Sequence, residues 1–572
     1  MAVPDNASVT AMLEEIATLL ELKDENVFKV RAYRNGARLV ESLASPVADL
    51  AAKGTLGDLP GIGVALREKI TTFVTTGRLP YLDELCASLP AGLLDLVRIP
   101  GLGPKKAVAL NRELKIDSLE SLREACTEGR VAGLKGFGEK TQQKILAGID
   151  FTARVAGQFR LADALPLART FEEHLRRCAG VKEVSVAGSV RRRKEVVRDM
   201  DFVVAATDAS KVTAHFLRHP EVAETIGSGD TKTGVRLKNG IQADLRVVAP
   251  GQFPFTLAYF TGSKEHNIIM RQRAQERGLK LNEYGLFKGK ASKKCRTEED
   301  VFEELGLAFI PPELRESAGE FEAAAKGRLP DLVTREDLRG TFHNHTTESD
   351  GIHSLEQMVD AARKRGLSYL GISDHSKSAG YAHGLDAARL KKQWAAIDKL
   401  NAGMKGFRIL KGSETDILPD GALDWPDEIL AKLDFVIASV HSHFTLSKDE
   451  QTKRTVRALA HPKVSMIGHP TGRLLLSREP FAIDLEAVLQ AAKKHGKCVE
   501  LNANSYRLDL DAQHVRRAKE LGLLVSINPD AHAMEGLDDL EYGIGTARRG
   551  WLTKKDVLNT RPLDEVLRVL RG

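Results

Sequence analysis

Two acidic residues separated by one position, Asp199-Met200-Asp201, lie shortly after the run Gly188-Ser189-Val190-Arg191-Arg192. On an extended strand, residues two apart project from the same face, so both carboxylates would point one way. Asp244, inside the apolar run ADLRVV, is the third carboxylate that a neighbouring strand could add. Three such groups can gather two Mg²⁺ or Mn²⁺ ions, as required when a 3′-hydroxyl attacks a triphosphate and pyrophosphate leaves. Gly188 and Ser189 would bring backbone and hydroxyl donors to that triphosphate, and Arg192 a charge-assisted contact.

A second constellation lies near the other end of the chain. His343-x-His345, Asp374-His375, Glu414, His441, His469 and Asp530-x-His532 each fall just after an apolar, strand-like run. Imidazoles mixed with carboxylates suit Zn²⁺, Mn²⁺ or Fe²⁺, whereas Mg²⁺ and Ca²⁺ favour oxygen alone. His353, His461, His495 and His514 lie in helix-like or flanking segments and read as structural.

The elements that must position these groups fall into regions. Over residues 336–572, the runs GTFHNH, SYLGISDH, FRILKGSE, FVIASVH, SMIGH, KCVELNA and LLVSINPDAH alternate with amphipathic helices. That alternation predicts a parallel sheet with crossover helices, closed into a barrel whose strand ends converge on one face. Residues 151–320 are α+β, with EVSVAG, DFVVAA and ADLRVV as strands and PLARTFEEHLRRC as a helix. Residues 321–335 read as a linker.

Residues 1–150 are helical throughout and repeat one turn, as Leu59-Pro60-Gly61-Ile62-Gly63, Ile99-Pro100-Gly101-Leu102-Gly103 and Leu134-Lys135-Gly136-Phe137-Gly138. These are helix-hairpin-helix motifs. Their glycines (Gly61, Gly63, Gly101, Gly103, Gly136 and Gly138) let the chain turn tightly and leave N–H groups at a helix start free for a DNA phosphate, without reading bases.

Bulk properties set limits. With 42% hydrophobic and 28% charged residues, the 572-residue chain is an ordinary globular protein of several domains, and a net charge of +6 permits a basic groove without demanding one. Five scattered cysteines exclude a disulfide framework and a cysteine zinc site. The opening residues lack a signal sequence and no apolar stretch reaches the ~18 residues that a membrane span needs, so a cytoplasmic protein is expected and, separately, a monomer.

The segment from Gly188 to Asp244 resembles the DNA polymerase beta-like family X, and the likeness continues through Tyr259-Phe260-Thr261-Gly262-Ser263, Asn267 and Arg271 to Asn282-Glu283-Tyr284. It implies that Tyr259 and Phe260 lie under the incoming sugar, with Gly262 in the same nucleotide-binding segment. Asn267 would reach the nascent base pair, Arg271 the template strand, and Arg246 would pair with a catalytic aspartate between turnovers. Arg193 stands where the family usually has glycine, and Arg198 where a small residue is common. In the N-terminal region, Lys69 falls where family members place a Schiff-base lysine for deoxyribose-phosphate removal, and Lys29 and Tyr33 where they bind a 5′-phosphate. Ala65 replaces another basic residue of that lyase site.

The histidine-rich order resembles the PHP (polymerase and histidinol phosphatase) family, whose fold is a distorted (β/α)7 barrel. By that likeness His343, His345, Glu414 and Asp530 serve one metal, Asp350, His375 and His532 a second, and Glu414, His441 and His469 a third. His383 would either ligate directly or support a ligand. Together the resemblances imply a DNA-directed DNA polymerase acting on dNTPs and gapped or primer–template DNA in repair. A Mn²⁺-dependent 3′-5′ exonuclease, or 3′-end or abasic-site processing, would reside in the barrel. A template-independent nucleotidyltransferase and a catalytically idle DNA-binding scaffold are the rival readings.

Overall fold

The GSxRR run and the DxD pair become neighbours through a five-stranded mixed sheet. Its strands are Val181–Val186 (β1), Asp199–Ala206 (β2), Val222–Ser228 (β3), Lys232–Leu237 (β4) and Gln242–Val248 (β5), in the order β1-β2-β5-β4-β3. The computed structural model describes every residue except 1–3, 5, 42, 44, 45, 60, 91, 230, 231 and 572, so Pro60 of the first glycine turn lies outside the described residues. β2 is nearly continuous apolar sequence because both its faces are covered. Met200, Phe202 and Val204 pack on helix Leu161–Arg176, while Val203 and Ala205 meet Phe253 and Leu257 of helix Phe253–Thr261.

The chain divides into two compact units, Met1–Ala156 and Gly157–Gly572. The first is all-helical. Its boundary lies beyond the expected residue 150 because helix Gly138–Val155 runs straight through that position, with Ile145, Ile149 and Phe151 buried. The second unit holds the mixed sheet, a helical and hairpin region that follows it, and the barrel.

In the barrel, the strands Gly340–Thr341 (β6), Tyr369–Ile372 (β7), Arg408–Asp416 (β8), Phe435–Ser439 (β9), Met466–Ile467 (β10), Cys498–Asn502 (β11) and Val525–Asn528 (β12) pair in chain order, all parallel. The ring is drawn together where Asn344 bridges Ala531 and His345 N–H donates to the Ala531 carbonyl at 2.8 Å. Three aromatic rings, Phe342, Tyr369 and Phe435, pack together among its strands, and glycine makes the room. A Cβ at Gly412 would lie 2.1 Å from the Phe435 ring, and one at Gly340 would lie 2.1 Å from Tyr369.

The expected linker is packed. Phe321, Ala324 and Leu332 join the buried cluster of Met270, Phe302 and Leu314, and Val333 joins the barrel's core. A Pro- and Gly-bearing stretch looks the same in sequence whether it is loose or folded against a surface, and here burial of its apolar residues holds it down. Among the described residues, no helix is long and apolar enough to cross a membrane.

Candidate functional site

The parallel register of β2 and β5 sets Asp201 directly opposite Asp244, with Asp199 two residues back opposite Gln242. Three carboxylates therefore share one face of the sheet, on two adjacent interior strands. Gly188 lets them be approached closely: its φ is +60°, and a Cβ there would sit 2.3 Å from Asp201 Oδ2. Only glycine fits this loop against that carboxylate. Burial and the charges of Asp199 and Asp244 push the Asp201 carboxyl up to about 7, and burial with Asp244 raises Asp199 as well. Mutual repulsion of this kind is relieved by a cation. Lys232 Nζ, 3.2 Å from Asp244 Oδ2, supplies part of that relief.

A cleft of about 370 Å³ opens beside the carboxylates, lined by Gly188, Ser189, Arg192, Asp199, Asp201, Tyr259, Phe260, Gly262, Ser263, Lys264, Asn267 and Arg271. Every residue expected from the sequence to touch the nucleotide therefore borders one space, and Arg271 joins them there. Asn267 Nδ2 donates to the Tyr259 backbone carbonyl at 2.7 Å, which fixes the Asn267 side chain. The two adjacent arginines separate. Arg191 turns into the protein and pairs with Glu298 at 2.7 Å, a carboxylate also held by the fully buried Arg315. Arg192 faces the cleft and pairs with Glu316 at 3.0 Å. Arg246 stacks its guanidinium 4.1 Å from the Phe260 ring centre, and its charge offsets part of the rise at Asp201.

In the helical unit, Gly61, Gly101 and Gly136 adopt φ of +97°, +85° and +88°. Gly63 and Gly103 cap helices Val64–Thr76 and Pro104–Leu114 with nearly identical backbones, whereas the third turn differs: Phe137 is the cap and Gly138 opens helix Gly138–Val155. A Cβ on any of these six glycines would meet nothing within 4 Å, so the space before the turns is open. Lys69 Nζ lies 4.4 Å over the Tyr81 ring. Tyr33 is only 4% exposed and hydrogen-bonds Tyr81; burial, then Tyr81, pushes its hydroxyl up. Tyr33 is thus a core residue rather than an open phosphate contact, while Lys29 sits on the surface beside Glu25 at 3.5 Å.

At the barrel's strand ends the expected ligands converge. Glu414 Oε2 lies 3.2 Å from His343 Nε2, 3.7 Å from His345 Nε2 and 3.0 Å from His375 Nδ1, and its Oε1 lies 3.2 Å from His441 Nε2 and 2.8 Å from His469 Nε2. Asp530 Oδ1 is 3.2 Å from His345 and 3.4 Å from His343, while Asp350 lies beside His345, His375 and His532. Four overlapping groups could each hold an ion: His345/Asp350/His375/His532, His343/His469/Asp530, His343/His345/Glu414 and His375/Glu414/His441. They share histidines more widely than the three expected sets, with His375 also next to His441 and His469 also next to Asp530. His383 stands apart, exposed, giving only its backbone carbonyl to Arg389. It belongs to none of these groups.

The donor set fits divalent metal. His343 Nε2, both nitrogens of His345, His375 Nδ1 and Glu414 Oε2 are buried without hydrogen bonds although carboxylate oxygens lie close by. Buried ligand atoms left unpartnered and gathered into such groups are what bound cations would satisfy. Charges are paired here. Burial opposes ionisation of Glu414, yet His343, His441 and His375 hold it well below the usual carboxylate range. Against the same burial, Glu414 and Asp416 raise His441 to about 9, and Asp350 and Asp530 raise His532 to about 9. Burial and the neighbouring His532 and His375 lower His345 to about 4.

Sequence reasoning missed the carboxylates behind the ligands. Glu500 accepts from His343 Nδ1 at 2.7 Å and from the His469 N–H at 2.7 Å, and Asp416 pairs with His441 Nδ1 at 2.6 Å. Such partners fix the ring that presents its other nitrogen to metal. Their signal was an acidic residue within an otherwise buried strand. Arg507, 3.3 Å from Asp530 Oδ2, and the exposed Tyr381 flank the same cluster.

Family models match residues 4–79 as a helix-hairpin-helix domain, 93–150 as a SAM-like helix-hairpin-helix tandem, 256–316 as a DNA polymerase beta thumb and 341–504 as a PHP domain. The chain is 41% identical over 562 residues to the DNA polymerase/3'-5' exonuclease PolX of Bacillus subtilis (strain 168), covering 98% of both chains. It is 33% identical over 230 residues to a probable phosphatase of Thermoanaerobacter sp. (strain X514), which covers 38% of this chain and 89% of that protein. A probable phosphatase of Syntrophotalea carbinolica is 25% identical over 236 residues, 40% of this chain and 93% of its own.

Proposed function

The chain belongs to the family X DNA polymerases that carry a C-terminal PHP domain, and we propose that it fills short gaps during DNA repair and trims 3′ ends. The mixed sheet, the palm, adds a dNMP from a dNTP to the 3′-hydroxyl of gapped or primer–template DNA. The PHP barrel acts as the 3′-5′ exonuclease. The observation that carries the polymerase reading is Asp201 opposite Asp244, with Asp199 beside them, at the edge of a cleft bordered by Ser189 and Arg192.

In that cleft Ser189 and Arg192 receive the triphosphate, Tyr259 and Phe260 support the sugar, and Asn267 meets the new base pair. Asp199, Asp201 and Asp244 would hold Mg²⁺ or Mn²⁺. In the barrel, up to three Zn²⁺, Mn²⁺ or Fe²⁺ ions would be held by His343, His345, Asp350, His375, Glu414, His441, His469, Asp530 and His532. When bound, such ions neutralise charge on the phosphoryl oxygens. Glu500 and Asp416 keep the histidine rings in place for that role, and Arg507 offers a cation to the substrate's phosphate. The glycine turns hold the DNA backbone, and the protein works as a monomer in the cytoplasm. A deoxyribose-phosphate lyase step would fall to Lys69, and borohydride trapping on a 5′-deoxyribose-phosphate end should give an adduct that Lys69→Ala loses.

The test is a duplex with a one-nucleotide gap and a 5′-phosphate, supplied with Mg²⁺ or Mn²⁺. Extension limited to the templated base, together with 3′ shortening when dNTPs are withheld, is expected. Additions that ignore the template would make the protein a terminal transferase, and binding without turnover in either metal would make it a scaffold.

A further inference from the structure

The loop that carries Ser189 and Arg192 is not supported by the palm alone. Just after it, Arg193 has φ +57°, a left-handed conformation that favours glycine and costs other residues energy. The compensation comes from the barrel. Helix Leu540–Arg549 crosses the loop with Gly545 facing Arg193, where a Cβ would come within 3.1 Å of the Arg193 Cβ. Glu541 of that helix pairs with Arg193 at 3.2 Å and also with Arg169 of the palm. One turn beyond Gly545, Arg549 donates to the Arg192 carbonyl at 3.1 Å and to Glu316 Oε1 at 2.9 Å. The same Glu316 oxygen accepts from Arg192 Nε at 3.0 Å. Arg192 and Arg549 are 13% and 11% exposed, so little water screens this exchange.

From this geometry we infer that helix Leu540–Arg549 of the exonuclease domain braces the polymerase's triphosphate-binding loop, with Arg549 the positioning residue that sets affinity for the incoming nucleotide. The inference rests on the reading of the cleft as the nucleotide site. Glu316 pairs with two arginines, Arg192 and Arg549, and also feels the charge of Lys194. If Arg549 is removed, the carboxylate turns more fully to Arg192, with only Lys194 left to share it, and the Arg192 guanidinium is further neutralised and drawn away from the phosphates. The loop carbonyl loses its donor at the same time. The barrel would thereby serve polymerisation without taking part in its chemistry.

Steady-state kinetics of single-nucleotide insertion on gapped DNA test this in the full chain. Arg549→Ala should raise the dNTP KM about tenfold, since a charge-assisted hydrogen bond in a half-dry site is at stake, and should change kcat and 3′ shortening by less than about twofold. Arg549→Lys should recover part of the loss. Adding Glu316→Gln to Arg549→Ala should bring KM back down, because the unshared charge is gone; a purely structural role predicts that the second change worsens matters. An unaltered dNTP KM in Arg549→Ala, or a parallel fall of both activities together with Tm, overturns the inference. Failure of the proposed function is separate: it would show as absent templated extension in the unsubstituted protein.

Discussion

The palm and the barrel both gather side chains suited to divalent ions for phosphate chemistry, yet they balance charge in opposite ways. The palm sets three half-buried carboxylates against one another on one face of a sheet, so two of them ionise less readily than usual. The barrel interleaves acids with imidazoles in a buried ring, so its acids ionise more readily and two of its histidines hold protons to about 9. One site is left wanting positive charge. The other carries protons on some of its histidines, which a metal must displace.

The sharpest way to break this comparison is to disable one site and read the other. Asp201→Ala should lower templated extension by ~10³-fold or more, since several kcal/mol of charge stabilisation is lost, and leave 3′ shortening within about twofold. His343→Ala should do the reverse. Equal loss of both activities in either variant would mean that the centres are not independent.

A smaller effect is expected one layer out. Asp416→Asn removes the carboxylate behind His441 and should weaken metal binding by the barrel by about 10–100-fold with extension unchanged. Metal content after dialysis against graded chelator would report it, and wild-type retention would refute the role.

The mildest test is proton release. Asp201 titrates near 7, above the unperturbed 3.8, so its ionisation costs the metal-free fold stability between about pH 4 and pH 7, and added Mg²⁺ should raise Tm more at pH 8 than at pH 5.5. His441 and His532 lie above their ordinary 6.5, so their ion pairs contribute fully below that pH and fade as pH rises through 9. Calorimetric titration at pH 8 in buffers of different ionisation heat should then find protons expelled when Mn²⁺ enters the barrel, and few when Mg²⁺ enters the palm. Equal release in His343→Ala and Asp201→Ala proteins would contradict the contrast.

Much of both sites was legible in the sequence because their chemistry demands particular residue types at strand ends. The seven strand runs after residue 336 all appear in the barrel, and the Asp199–Asp201 spacing needed only the two-residue period of a strand. What sequence hid depends on three-dimensional burial. Glu500 and Asp416 look like any strand acid until their histidine partners are beside them. His383 sits among ligands in sequence, but its turn projects it outward. The stretch around Phe321 and Leu332 carries too few apolar residues to announce a core, yet each finds one.

That last segment has a wider consequence. Because Phe321, Leu332 and Val333 are seated in cores on either side of the junction, there is no tether on which one catalytic centre could swing toward the other. Wherever a mispaired terminus must pass from synthesis to removal, the nucleic acid has to make the journey, by peeling back or by letting go and landing again. Proofreading would then be paced by how easily the last base pairs melt or the DNA is released.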